Sequence, residues 1–222
     1  VTGVQTCALP IYLQPIMEVL RAPFVLVVPA TSGAKSTKDL IALAKAKPGE
    51  IALANTGIGS GPHLASVLFA QMTGTSFNYI PYKGGGPAIQ DLIAGRVQVL
   101  ITTPLAAVPH VQSGRLRLLG VTSAKRATAL PDVPTLAESG VPGYDVTTWY
   151  MLLAPAGTPS AIVAKISRDA MAGLKQPDAV KILGSDGAEL VLGTPPEAAA
   201  LLKNELARWS KVIREANVKP DD

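Results

Sequence analysis

The segment Ile51-Ala-Leu-Ala-Asn-Thr-Gly-Ile-Gly-Ser-Gly-Pro-His-Leu64 decides how the rest of the chain is interpreted. It begins with an apolar run typical of a buried β-strand and breaks into a glycine-rich turn. The apolar spacing of His63-Leu-Ala-Ser-Val-Leu-Phe-Ala-Gln-Met72 then predicts a helix. Such a strand–turn–helix unit leaves free backbone N–H groups at the start of the helix, where anions bind. The pattern favours a small carboxylate over a nucleotide.

The composition indicates a well-packed globular protein. Of its 222 residues, 48% are hydrophobic and 16% are charged, which argues against disorder. The net charge of +4 suits an anionic ligand, but no basic run is longer than Lys125-Arg126 and only 5% of residues are aromatic. We therefore expect no nucleic-acid partner. No apolar stretch is long enough for membrane insertion. The single cysteine, Cys7, cannot form an internal disulfide.

Short strands and helices alternate through the middle of the chain. The predicted strands are Phe24–Val28, Ile51–Ala54, Phe77–Pro81, Val97–Ile101 and Leu116–Thr122. This alternation predicts an α/β fold, with a mainly parallel sheet and helices on both of its faces. Ligands bind beyond the carboxyl ends of such strands. We therefore expect three helix-opening loops to meet there, namely Asn55–His63, Tyr82–Pro87 and Thr102–Pro104.

The two ends of the chain follow other patterns. Residues 1–11 show no hydrophobic period and lack the basic and apolar regions of a signal peptide. We interpret them either as an unrelated fusion or assembly remnant or as an ordinary frayed terminus. Beyond residue 146 the pattern predicts a strand, helices near 160–174 and after Pro177, a short strand, and a final amphipathic helix at 195–216.

Recognised catalytic and cofactor motifs are missing from the glycine-rich turn. Pro62 replaces the third glycine of a dinucleotide fingerprint, and no Gly-Lys-Ser/Thr follows as in a phosphate-binding loop. Ser60 does not fit the Gly-x-Ser-x-Gly nucleophile elbow, because Ile58 and Pro62 stand where its two glycines belong. His63 and His110 are the only histidines, so no metal cluster of conventional spacing exists. We expect no catalytic residue, no metal and no cofactor, and therefore a binding protein rather than an enzyme.

The candidate ligand-binding residues are chosen for hydroxyl donors, close backbone approach and charge: Thr56, Gly59, Ser60, Gly61, His63, Lys83, Gly84, Gly85, Thr102, Thr103 and Trp149. Several of them have an equally ordinary structural use. The hydroxyls of Thr56 and Ser60 suit helix capping as well as ligand binding, whereas the two threonines at 102 and 103 favour the ligand slightly. The glycines at 84–86 fit either a flexible turn or a close approach of the ligand.

For three of the candidates, the sequence favours a role other than direct ligand contact. His63 suits packing on the turn that it opens, and Lys83 suits solvation with only long-range attraction for an anion. Trp149 suits packing near the predicted crossing strands rather than a wall of the ligand cleft.

From Leu13 to Asp222 the chain resembles the Bug-type solute receptors, the extracytoplasmic binding subunits of tripartite tricarboxylate transporters. The resemblance is carried, in order and at matching spacing, by Leu40-Ile-Ala-Leu-Ala-Lys-Ala-Lys-Pro-Gly49, Gly59-Ser-Gly-Pro-His-Leu64, Pro81-Tyr-Lys-Gly84, Pro87-Ala-Ile-Gln-Asp-Leu92, Gly95-Arg-Val-Gln98, Leu130-Pro-Asp-Val-Pro-Thr135, Trp149 and Ala154-Pro-Ala-Gly-Thr-Pro159.

The resemblance implies a type II periplasmic-binding-protein fold, in which two α/β lobes joined by crossing strands close over a ligand. It implies a periplasmic subunit that captures a small organic carboxylate and passes it to membrane subunits of the transporter. In this chain we expect one complete doubly wound lobe at 30–146. A partial lobe with the crossing strands is expected at 12–29 and 147–222.

The chain departs from the family pattern in two respects. Family members begin with a secretion signal, followed by a first lobe whose opening strand and loop form one side of the carboxylate site. Neither the signal nor this strand and loop has a counterpart in the present sequence, so we expect the chain to be N-terminally truncated. Thr102-Thr103 stands where relatives often carry an acidic residue, which disfavours a ligand amine. Two alternatives to the receptor function stay open: an α/β hydrolase-like enzyme using Ser60 and a histidine, or a fragment without ligand affinity.

Overall fold

The computed structural model describes residues 12–184 and 187–219, which form two compact units. Within that part of the chain, unit 1 comprises residues 12–22 and 148–215, and unit 2 comprises residues 23–147 and 216–219. The interpretation of residues 1–11, including Cys7, falls outside the described residues.

Unit 2 contains a five-stranded sheet and four helices among the described residues. After β1 (Leu13–Pro23), which belongs mainly to unit 1, its elements are β2 (Val25–Pro29), α1 (Thr37–Ala46), β3 (Ala52–Asn55), α2 (Gly61–Thr73), β4 (Asn78–Pro81), α3 (Gly85–Ile93), β5 (Val99–Thr102), α4 (Pro104–Gln112) and β6 (Leu116–Val121). The α/β alternation predicted from the sequence is therefore present.

One strand of this sheet runs against the others. The strand order is β4-β3-β5-β2-β6; β3 is parallel to β4 and β5, whereas β2 is antiparallel to both β5 and β6. Four of the five strands thus point the same way, but the reversal of β2 makes two of the four neighbouring pairs antiparallel, so the sheet is mixed rather than mainly parallel. As a result Val25, at the start of β2, pairs with Thr102 at the carboxyl end of β5.

The reversed strand also moves the boundary between the units. The sequence interpretation placed residues 24–28 with the partial lobe at 12–29, but every residue of β2 is buried and pairs within unit 2. An unbroken β-branched run needs cover on both faces of a sheet, and the neighbouring strands and helices of unit 2 supply that cover. Unit 2 consequently begins at Pro23 rather than at residue 30.

The predicted glycine loop at Tyr82–Pro87 is shorter in the structure. Gly84 is the N-cap of α3, and the helix already begins at Gly85. A proline in the first turn of a helix loses no hydrogen bond, because the first amides have no intrahelical acceptor. The Gly-Gly-Pro sequence therefore forms the first helical turn instead of a loop.

Besides β1, unit 1 contains β7 (Thr147–Pro155), α5 (Ser160–Leu174), α6 (Pro177–Gly184), β8 (Glu189–Leu190) and α7 (Pro195–Glu215). Its three strands form one sheet of order β7-β1-β8. Ile16 and Met17 of β1 pack with Ala154 and Val163 in its core. The helices predicted at 160–174 and after Pro177 are confirmed.

A single buried hydroxyl joins three segments of unit 2. Thr122, directly after β6, accepts a hydrogen bond from the Phe24 N–H at 2.8 Å and donates one to the Val146 carbonyl at 2.7 Å. Backbone bonds from the Thr122 N–H to the Phe24 carbonyl and from the Val146 N–H to the Thr122 carbonyl flank it. Phe24 and Val146 lie next to the points where the chain passes between the units.

We expect Thr122→Val to lower the free energy of unfolding of unit 2 by about 2 kcal/mol, because a buried amide and a buried carbonyl lose their partner. Chemical denaturation followed by amide hydrogen exchange in β2 and β6 measures the change. Thr122→Ser, which keeps the hydroxyl, is the matched control and should recover most of the loss. Equal stability of the valine variant and the wild type would contradict the role of the hydroxyl.

Candidate functional site

The three predicted loops lie side by side at one edge of the sheet in unit 2. They follow β4, β3 and β5, which are neighbouring parallel strands, so their carboxyl ends meet. The Tyr82 N–H donates to the Asn55 carbonyl at 2.8 Å and joins the first two loops. A Cβ atom built on Gly85 would lie 3.6 Å from Thr102 Oγ1, which brings the second and third loops into contact distance.

The loop after β3 is held by hydrogen bonds of its own. The Asn55 side chain, 3% exposed, accepts from the Gly57 N–H at 3.0 Å. The Gly59 N–H donates to Nδ1 of His63 at 3.0 Å. Gly57 and Gly59 have φ angles of 131° and 73°, which side chains rarely allow. Asn55 was not among the residues predicted for the site, although an asparagine two residues before a glycine is a recognised turn signal.

Ser60 and Thr56 form a hydroxyl pair at the start of α2. Ser60 is the N-cap, and its Oγ accepts from the His63 N–H at 3.4 Å. The Oγ atoms of Ser60 and Thr56 are also 3.4 Å apart. Both residues are half-buried. The capping use of Ser60 is therefore present, and because these bonds are long, its hydroxyl has scope to rotate toward a ligand.

His63 serves the loop structurally. Its side chain is buried, with its Nδ1 atom accepting from Gly59, and its ring meets Tyr79 edge-on with centroids 5.6 Å apart. Burial raises the pKa of Tyr79 to about 12, so this phenol stays neutral and donates to the Ser66 carbonyl. These contacts match the structural use that the sequence favoured for His63.

The second loop presents backbone rather than side-chain groups. Gly84, at φ 101°, has no side chain to cap α3, so the amides of the first helical turn have no intrahelical acceptor. Lys83 is exposed, in keeping with the predicted solvated state.

A polar network braces α3 behind the second loop. The Tyr82 hydroxyl donates to Asp91 at 2.8 Å, and Arg96 donates to the other carboxylate oxygen at 2.7 Å. The hydrogen bonds from Tyr82 and then Arg96 lower the pKa of Asp91. The acid therefore stays charged and is engaged by these two partners. None of the three residues was singled out from the sequence.

The third loop exposes one hydroxyl and buries another. Thr103 is the N-cap of α4, but its side chain makes no capping hydrogen bond and is exposed. The alternative use of Thr103 as a side-chain cap is therefore wrong. Thr102 is only 3% exposed and ends β5 beside Gly85. Leu105, in the first turn of α4, is 63% exposed and adds an apolar surface next to these hydroxyls.

The charge at this edge favours anions. The three loops contain no aspartate or glutamate, and Lys83 is their one lysine or arginine. Helices α2, α3 and α4 all begin here, and each contributes the positive end of a helix dipole and N–H groups that have no intrahelical acceptor. The arrangement can hold a small anion through backbone donors and hydroxyls.

An aromatic ring that was not predicted for the site, that of Phe24, lies beneath the first loop. A Cβ atom built on Gly61 would lie 2.9 Å from Cζ of Phe24, so the ring lies directly against the first residue of α2. Phe24 is 4% exposed. Its place follows from the reversal of β2, which brings the start of that strand to the carboxyl ends of the others.

Trp149 belongs to β7 in unit 1. Its indole N–H donates to Oε2 of Glu205 at 3.2 Å, and the indole N–H of Trp209 donates to the same oxygen at 2.8 Å. These bonds attach β7 to α7, which agrees with a packing use of the tryptophan. Its predicted ligand contact stays a prediction.

The described residues offer neither a metal centre nor a membrane span. Within residues 12–184 and 187–219, no three His, Cys, Asp or Glu side chains are grouped to hold a metal ion. None of the helices in that part of the chain combines the length and the apolar character needed to cross a bilayer.

Comparisons with known proteins bear directly on this geometry. The profile of the family described as "Tripartite tricarboxylate transporter family receptor" matches residues 9–218. Protein BugT of Bordetella pertussis is 38% identical over 207 residues, which cover 93% of this chain and 64% of BugT. The chain thus spans less than two thirds of the length of that relative.

Solved structures extend the similarity to the fold. An R. palustris protein solved with adipate matches with a TM-score of 0.82 at 36% identity, over 95% of this chain and 70% of that protein. The periplasmic binding protein BugD matches with a TM-score of 0.78 at 32% identity, over 94% of this chain and 71% of BugD. MatC from Rhodopseudomonas palustris with bound malate matches with a TM-score of 0.77 at 28% identity, over 90% of this chain and 69% of MatC. The expected periplasmic-binding-protein fold is confirmed.

Proposed function

This chain belongs to the tripartite tricarboxylate transporter receptor family, and from that premise we propose that it is a substrate-binding subunit which captures a small organic carboxylate. We place one carboxylate group at the edge of unit 2 formed by the loops and helix starts at 55–63, 82–87 and 102–104. The protein would act in the periplasm and deliver its ligand to the membrane subunits of the transporter.

The observation that carries this proposal is the meeting of three helix N-termini at an edge without acidic side chains. The amides of Gly61, Gly85 and Gly86 have no intrahelical acceptor, and the Thr102 hydroxyl lies beside Gly85. Backbone amides and hydroxyls donate to a carboxylate without a buried countercharge, and charge-assisted hydrogen bonds are about twice as strong as neutral ones. Such a site holds an anion while excluding a ligand that presents only an amine.

The ligands of two solved relatives agree with this chemistry. Adipate and malate are both small dicarboxylates, and they accompany the R. palustris protein and MatC respectively. Adipate carries an apolar chain and malate a hydroxyl. The exposed Leu105 beside the hydroxyls of unit 2 suits the apolar chain, so we place linear dicarboxylates first in a ligand screen.

The geometry does not support the hydrolase alternative. A serine nucleophile needs an imidazole within hydrogen-bonding reach as its base. The hydroxyl of Ser60 instead contacts the backbone N–H of His63 and the Thr56 hydroxyl, while Nδ1 of His63 accepts from Gly59. We expect no ester hydrolysis above the rate of Ser60→Ala, measured with a chromogenic ester. A serine-dependent rate would contradict the receptor function.

We expect Thr102→Val to weaken carboxylate binding about tenfold or more, because a hydrogen bond to a charged group contributes about 1.5–3 kcal/mol. Isothermal titration calorimetry with adipate, malate and longer or shorter dicarboxylates measures the affinity. Thr31→Val is the matched control, because this exposed threonine follows the reversed strand β2 and lies at the opposite edge of the sheet.

Two results would count against the proposed function. One is the absence of binding by the wild type across the whole acid panel. The other is an equal loss of affinity in the Thr31 and Thr102 variants, which would place the ligand elsewhere.

A further inference from the structure

We infer that Phe24 is a positioning residue for the anion site: its ring supports the first turn of α2 and sets the position of that turn relative to Thr102. The inference rests on the proposed function, since it concerns how the same site keeps its shape. It assigns a role to a residue that lies outside the three loops.

The ring of Phe24 lies against Gly61, the first residue of α2. A Cβ atom on Gly61 would meet Cζ and Cε2 of Phe24 at 2.9 Å and 3.4 Å. Gly61 is not among the glycines with positive φ. Its backbone conformation therefore does not require glycine, and the ring is what excludes a side chain there. Gly59 shows the opposite case, with φ of 73° and nothing within 4 Å of a built Cβ.

The ring of Phe24 has little freedom to move. Phe24 is 4% exposed, and its backbone N–H and carbonyl are both bonded to Thr122. The next residue, Val25, pairs with Val121 on one side and Thr102 on the other. In a densely packed interior, such a ring transmits rather than absorbs a displacement.

Phe24 and its neighbour Val25 connect two parts of the site. Phe24 contacts α2 through Gly61, and its neighbour Val25 is in register with Thr102. The separation between the α2 amides and the Thr102 hydroxyl is therefore set through one short segment of β2. A larger residue at 61 would push the helix start away from Thr102, and a smaller residue at 24 would leave it unsupported.

A double-mutant cycle tests this arrangement. We expect Gly61→Ala to weaken binding of the tightest dicarboxylate in the panel about tenfold, and Phe24→Leu to weaken it about threefold; because the two residues are in contact, these losses should not simply add. Leucine lacks the Cε and Cζ atoms, so the combined variant should bind about as tightly as Phe24→Leu alone. This corresponds to a coupling of about tenfold, or roughly 1.4 kcal/mol.

A matched control uses another glycine at the same edge. Gly86, in the first turn of α3, has nothing within 4 Å of a built Cβ and no positive φ. The losses from Gly86→Ala and Phe24→Leu should simply add. Additive losses for the pair at 61 and 24 would overturn the inference, as would coupling of the same size in the control pair.

A ligand-free measurement separates this inference from the proposed function. In ¹H–¹⁵N spectra of the free protein, Gly61→Ala should shift the amide signals of Gly59 and His63, and addition of Phe24→Leu should return them toward the wild-type positions. If the wild type binds no acid but the signals return, the proposed function fails, and only the structural support of α2 by Phe24 stands. If the acid binds but the signals do not return, the positioning role fails alone.

Discussion

Replacement of Tyr144 by alanine is expected to lower the free energy of unfolding of unit 2 by about 4 kcal/mol, within the range for large aromatic truncations. Tyr144 is 1% exposed, and its ring meets Phe69 edge-on at 6.2 Å between centroids. Its hydroxyl donates to the Ala65 carbonyl at 2.7 Å. Both contacts are on α2, so the variant loses the packing and the hydrogen bond that hold this helix.

A second substitution separates the two contributions. Tyr144→Phe keeps the ring and removes the hydroxyl, and it should cost about 1–2 kcal/mol because the buried Ala65 carbonyl loses a donor. Amide hydrogen exchange, followed in β3 and β5 for unit 2 and in β1 for unit 1, reports the stability of the unit that carries each substitution. Tyr150→Ala is the control; this tyrosine is 57% exposed, so the expected change is within about 0.5 kcal/mol. Similar losses at both tyrosines would contradict the packing role of Tyr144.

Gly120→Val is expected to cost about 3 kcal/mol, at the upper end of the usual range for overpacking. A Cβ atom on Gly120 would lie 2.7 Å from Cδ2 of Leu136 and 3.2 Å from the Pro134 carbonyl oxygen. Leu136 is fully buried, and the Pro134 carbonyl accepts from the Val121 N–H at 2.9 Å. Neither neighbour can retreat without losing packing or a hydrogen bond.

The control for this substitution is Gly33→Val. Gly33 has nothing within 4 Å of a built Cβ and no positive φ, so valine should change the free energy of unfolding by less than about 0.5 kcal/mol. Thermal unfolding of both variants, followed by circular dichroism, gives the comparison. A Gly120 variant as stable as the Gly33 variant would show that residues 134–136 yield more easily than their contacts indicate.

Local signals in the sequence were sufficient for most of the elements. The spacing of apolar residues predicted a helix near 160–174, and α5 spans Ser160–Leu174. The meeting of the three loops followed from the parallel strands that precede them, because chain direction fixes which strand ends share an edge. These features depend on short-range chemistry or on simple topology.

The reversal of β2 could not be predicted in the same way. A run such as Val25-Leu-Val-Val28 has the same hydrophobic pattern whichever way it enters a sheet, so the pattern carries no direction. The role of Phe24 depends on that direction, because only a reversed strand brings its first residue to the ligand edge. The sequence therefore identified the glycine at 61 as a candidate but not the ring that requires it.

The division of the chain into units has a consequence for biosynthesis. Unit 2 is continuous from Pro23 to Thr147 apart from its final short segment, whereas β1 of unit 1 pairs with strands that begin only at Thr147 and Glu189. During vectorial translation, unit 2 can fold as soon as residue 147 has emerged, while β1 must wait for its partners. The long sequence separation of those pairings makes them the slow step. Nascent chains stalled after residue 147 has emerged from the ribosome, but before β8 has, should therefore already protect unit 2 from proteolysis while β1 is still cleaved.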